Sequence, residues 1–163
     1  MDINYLAVLV AALVPLVMGF IWYNPKVLGN AWMKAAGLDE EKLKGANMAV
    51  IFGLSFVFSF LLAFFSQMLV IHQLHIGAAF FDYQEQIKDV ATPEGALYKQ
   101  VMDLVGSGHR TFGHGAFHGV LSGLFLVMPI LATNAMFERK GFKYIAINTG
   151  YWIICLAIMG GIV

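Results

Sequence analysis

Apolar residues fill four long stretches of the chain, 3–23, 46–71, 112–137 and 144–163, and none of them contains a lysine, arginine, aspartate or glutamate. A helix that crosses a bilayer needs about 20 mostly apolar residues. Each stretch is also too long and too evenly apolar for the core helix of a water-soluble domain. The pattern predicts an all-α polytopic membrane protein: one domain, 1–163, with four transmembrane helices in an antiparallel bundle. The first stretch reads as a retained helix rather than a secretion signal, which would open on basic residues and end at a small-residue cleavage site. It opens instead on Met1-Asp2, has no lysine or arginine before Lys26, and ends in Trp22-Tyr23-Asn24-Pro25. That ending is an aromatic interface anchor followed by a helix stop.

The polar connections carry patterns of their own. In 82–106, Thr92-Pro93-Glu94 supplies a cap, a proline at the first helical position and an acid in the first turn. Leu97, Val101, Leu104 and Val105 follow along one helical face, and Gly106 stops the run. A second helix is expected over 82–91, through Tyr83, Ile87 and Val90. These amphipathic outer-loop helices either cap the bundle or lie on lipid. On the other connection, 26–36 places Val27, Leu28, Ala31, Trp32 and Ala35 on one face of a short surface helix. Asp39 is expected to cap a helix that runs on into the second span.

Composition agrees with lipid as the solvent. Hydrophobic residues make up 60% of the chain and charged residues 12%, about half the charge of a soluble domain. Ten basic and ten acidic residues cancel, leaving no basic field for nucleic acid. Their distribution predicts orientation. Segments 24–45 and 138–143 hold seven of the ten positive charges, and 72–111 holds Lys88, Lys99 and Arg110. The lysine-rich segments are expected in the cytoplasm, with both termini and the 72–111 loop outside a cell inner membrane. Trp22, Tyr23 and Trp32 fall at the predicted inner boundary as membrane-interface residues.

Helices in lipid associate where small residues let backbones approach. Gly115, Gly119 and Gly123 make such a stripe on span three, Ala7, Ala11, Pro15 and Gly19 on span one, and Ala146, Gly150, Ala157 and Gly161 on span four. These stripes suit either the bundle interior or a homo-oligomer. Pro15 should kink span one. Thr133-Asn134 and Asn148-Thr149 stand where they could bond across the 137–143 turn.

Candidate chemistry is concentrated in 107–123, SGHRTFGHGAFHGVLSG. His114 and His118 are four apart and share one helical face, while His72 and His75 are three apart at the outer end of span two. A pair from each of two neighbouring helices could hold zinc or copper, with His109, Asp103 or Asp82 as a further ligand. No acid lies within a span, which argues against a proton-coupled exporter. Nothing resembles a nucleophile with its base, a phosphate loop or a cofactor motif. Cys155, the single cysteine, reads as a buried small hydrophobe.

Three motifs carry a resemblance. Asn4 leads the first helix; Trp22-Tyr23-Asn24-Pro25 is followed by Leu28-Gly29 and Ala31-Trp32-Met33; and Asn148-Thr149-Gly150-Tyr151 precedes Gly160-Gly161. They resemble a bacterial family of small integral membrane proteins known only as a domain of unknown function. The resemblance covers the first 38 residues and, more loosely, the last 50. It implies four membrane helices and supplies no activity. The first-ranked reading is then a non-catalytic, self-associating bundle that binds a lipid, a small apolar ligand or a partner protein. A histidine-lined metal-binding protein and an oligomeric small-solute channel or transporter stay open as alternatives.

Overall fold

The computed structural model describes residues 3–106 and 108–163. Met1, Asp2 and Ser107, which entered the signal-peptide and histidine-segment readings, lie outside the described residues. Helices account for the regular structure, and there is no strand among the described residues. In chain order they are α1 (Tyr5–Trp22), α2 (Asn30–Ala36), α3 (Glu40–Leu43), α4 (Met48–Val70), α5 (His72–Ala79), α6 (Pro93–Val105), α7 (Phe112–Ser122), α8 (Met128–Phe137) and α9 (Phe142–Ile162). A π turn, Gly123–Val127, joins α7 to α8 into one 26-residue span. With α1, α4 and α9 this gives four helices long and apolar enough to cross a bilayer. The chain is a multi-pass membrane protein.

Side chains show which surfaces meet lipid. Leu6, Leu13, Val17 and Phe20 of α1 and Phe58 and Leu61 of α4 are exposed. In water such a continuous apolar surface would drive aggregation, whereas against acyl chains it costs nothing. Four polar caps set the helix starts. The side chains of Asn4, Asn47, Thr92 and Thr111 each accept a hydrogen bond from a backbone N–H in the first turn of α1, α4, α6 and α7. Asn4, which leads the first helix, is exposed, and the cap is what occupies it.

The core is built around α9. Val8, Ala11 and Ala12 of α1 and Ala63 of α4 meet Tyr151, Cys155 and Met159 of α9. The stripe on α1 is thus partly as read: Ala11 is buried, Ala7 is half-buried at its edge, and a Cβ added at Gly19 would lie 3.7 Å from the Tyr151 hydroxyl. On the other side of α9 the approach is closer. A Cβ added at Gly115 would overlap the Gly160 carbonyl oxygen, one at Gly119 would overlap the Leu156 carbonyl oxygen, and one at Gly123 would lie 2.7 Å from Ile153. Rising numbers on α7 meet falling numbers on α9, so these two helices pass in opposite directions. The glycine stripe is therefore consumed inside the chain.

Polar contacts lock α1 to α9. The Tyr151 hydroxyl donates to the Pro15 carbonyl at 2.7 Å, the Trp22 indole N–H to the Ile147 carbonyl at 3.0 Å, and the Tyr23 hydroxyl to Asn148 Oδ1 at 2.9 Å. Trp22, Tyr23 and Trp32, assigned to the interface, are half-buried. Trp22 rests on Gly150, with 3.2 Å between its ring and a Cβ added there, and Trp32 meets Tyr23 edge-on at 5.1 Å. Asn148 bonds to Tyr23 and to the Tyr144 carbonyl, not to the Thr133-Asn134 pair as expected.

The connections differ from the sequence expectation in two places. Asp39 caps only the four residues of α3, and α4 starts afresh at Met48 behind its own cap, Asn47. The Gly45 break intervenes, so no helix runs through from 39. On the other side, 82–91 is not a helix but two three-residue 3-10 turns, Phe81–Tyr83 and Gln86–Lys88. α6 runs from Pro93 to Val105 as read, but it packs mainly on the Gln86–Lys88 turn. Leu97 and Leu104 are left exposed, Leu104 at 84%. The lysine-rich connections meet each other: the Lys140 ammonium donates to the Ala36 carbonyl at the end of α2.

Candidate metal centre

Two local breaks position the histidines. α4 ends at Val70, and Ile71 is extended (φ −97°, ψ 99°), so α5 restarts at His72 in a new direction. α7 starts behind Thr111, whose hydroxyl accepts from the His114 amide at 3.2 Å. That fixes His114 and His118 one turn apart on the same face. The glycine contact with α9 sets the rotation of α7, because Gly115 and Gly119 each follow a histidine by one residue. His114 and His118 are thereby turned toward the start of α5.

Three imidazoles converge there. His72 Nε2 lies 3.1 Å from His118 Nε2 and 3.4 Å from His114 Nε2, and the last two are 3.0 Å apart. The ring centroids are 4.6 to 5.0 Å apart, and all three pairs meet edge-to-face. All three residues are half-buried, which leaves a path for an ion or water.

This triangle cannot be satisfied by protons. A ring nitrogen that carries a hydrogen donates and cannot accept, and one without a hydrogen accepts and cannot donate. Each favourable contact needs one nitrogen of each kind. Three nitrogens in mutual contact can supply at most two such contacts, so the third sets two hydrogens or two lone pairs against each other. A cation removes the conflict, since all three lone pairs can point at it. The edges of a tetrahedron around zinc with bonds of ~2.0–2.1 Å are roughly 3.3–3.4 Å, close to the observed separations. An atom at that distance from all three nitrogens stands roughly 0.9 Å above their plane, which is the shape of a tetrahedral site with one position open.

The other sequence candidates are placed apart. His75 is exposed on α5, about 4.5 Å further along the axis than His72, and does not join the cluster. The expectation of a pair from each helix therefore fails on α5, where one histidine of the two faces α7. Asp103 pairs with Lys99 on α6, and Asp82 is exposed in the first 3-10 turn. His109 stacks on His114 at 4.8 Å with 29° between the rings. Sequence reasoning missed Gln73. It is 2% exposed, and its Nε2 donates to the carbonyls of Val105 at 2.9 Å and Gly108 at 3.1 Å. It ties the helix that carries His72 to the loop that carries His109. An isolated glutamine beside a histidine gives no such signal, because both of its partners are more than 30 residues away.

A family model described as "Protein of unknown function (DUF1761)" matches residues 6–163. The chain belongs to this family. The DUF1761 match takes in all four spans and its bounds include every histidine of the site, whereas the sequence resemblance rested on the two ends. Asn4 falls just outside it. No curated protein and no solved structure matches the chain.

Proposed function

We propose that this DUF1761 protein is a membrane-embedded metal-binding protein that holds one zinc or copper ion at His72, His114 and His118. The observation that carries the reading is the Nε2 triangle, with edges of 3.0 to 3.4 Å and no proton arrangement that satisfies it. Neutral imidazole nitrogens suit zinc and copper, and a site of three such ligands leaves a fourth position around the ion. The first-ranked sequence reading finds less support. The clefts hold about 170 Å³ beside Thr111 and Gly160 and about 40 Å³ between α4 and α7, both below the ~300 Å³ or more of a small-molecule pocket. The glycine stripe that suited a homo-oligomer is occupied by α9. Protein purified without a histidine tag should carry about one zinc or copper per chain by elemental mass spectrometry. A metal-free preparation that takes up neither ion on titration overturns the reading.

The same reading sets the site on the outer side of a bacterial inner membrane. Support comes from the lysine-rich segments, which share one end through Lys140 and Ala36, while the triad adjoins the loop poor in basic residues. In a Cys155→Ser background, Lys99→Cys should react with a membrane-impermeant maleimide on intact cells. Lys34→Cys and Lys140→Cys should react only after permeabilisation. Labelling of Lys34→Cys and Lys140→Cys on opposite faces would reject the arrangement.

A further inference from the structure

Three histidines leave one position around the ion, and the structure offers one further group to fill it. We propose, resting on the three-histidine reading, that His109 is the fourth ligand and that the loaded site is a four-histidine centre closed to water. The His109 ring lies 4.8 Å from that of His114 and 6.0 Å from that of His72. The first spacing matches those within the triad, 4.6 to 5.0 Å. The His109 ring therefore borders the site, while its nitrogens stand outside the close triangle of the other three. Ligation requires this exposed ring to turn toward the ion.

The backbone shows that His109 is held there. Its φ is +61°, in the left-handed region that is unfavourable for a residue with a Cβ. Such conformations persist where the surroundings impose them, and they gather at ligand sites. Here the supports are explicit. Gln73 binds the Gly108 carbonyl just before His109, the Thr111 amide donates to the His109 carbonyl at 2.9 Å, and the Gly108 amide donates to Val105 at 3.0 Å. Among the other candidate donors, Asp103 is paired with Lys99; His75 and Asp82 are exposed, as His109 is, but His109 is the further histidine whose ring lies against the triad.

Cobalt(II), used in place of zinc, reports the coordination through its visible bands, and azide reports an exchangeable position. The detergent-purified wild type should bind cobalt with a tetrahedral spectrum that millimolar azide leaves unchanged. His109→Gly, which suits the positive φ and so keeps the loop, should still bind cobalt. Its spectrum should shift on adding azide, and added imidazole should abolish that response. His75→Ala should behave as wild type. If azide shifts wild type and His109→Gly alike, the His109 assignment falls while the three-histidine site stands. If wild type binds no cobalt at all, both fall together.

Discussion

His118→Ala should lower zinc affinity about a hundredfold, and His75→Ala should leave it unchanged. Structural zinc sites bind with about 10–16 kcal/mol in total over four ligands, so one ligand is worth about 3 kcal/mol, or about two orders of magnitude in Kd. His118 is the vertex with the two shortest edges, 3.0 and 3.1 Å, so no remaining pair can replace it. His72→Ala and His114→Ala should lose a similar amount. The double variants should lose less than the sum, because groups that act as one unit are not additive. Competition against a chromophoric chelator in detergent measures all of these. The metal-free proteins supply a second comparison. Removing one ring also removes the contact that protons cannot satisfy, so metal-free His118→Ala should melt no lower than metal-free wild type. Equal, small losses from all four alanine variants would show that zinc sits elsewhere.

The second large effect is steric. Gly119→Ala should destabilise the protein by about 1–3 kcal/mol or more, seen as a lower melting temperature by circular dichroism in detergent. The added methyl would overlap the Leu156 carbonyl oxygen, which belongs to the α9 backbone and cannot rotate aside. Relief requires that α7 and α9 separate. Because α7 carries His114 and His118, zinc affinity should fall with stability, although the substitution touches no ligand. Gly113→Ala is the matched control on the same helix. Nothing stands within 4 Å of a Cβ there, and the change should stabilise the helix by about 0.5–1 kcal/mol. Equal melting temperatures for the two variants would show that α7 and α9 are not closely apposed.

The sequence made some of this legible for physical reasons that can be named. Charge is excluded from hydrocarbon, so the four uncharged runs stood out, and Thr92-Pro93 marked the start of α6 to the residue. The i,i+4 spacing of His114 and His118 sufficed to put them together. Which of His72 and His75 joins them depends on the extended backbone at Ile71, and no local pattern announced that break. The glycine stripe was visible on α7, but its partner was not, since a small-residue face serves an intrachain and an intermolecular contact equally well. The bonds of Trp22 and Tyr23 to α9 were hidden for a similar reason. An aromatic ring at a helix end suits a headgroup, and its polar atom serves equally to bond carbonyl and amide acceptors on a neighbouring helix, as here on α9.

The placement of α9 bears on how the molecule is made. The helix that touches α1, α4 and α7 is also the one translated after them. Until it leaves the ribosome, α1 and α4 can pack on each other, but α7 lacks the helix that it meets most extensively. Insertion and compaction are then separate events, and the histidines of α7 come into register with His72 only at the later one. Ion capture becomes a mark of finished assembly.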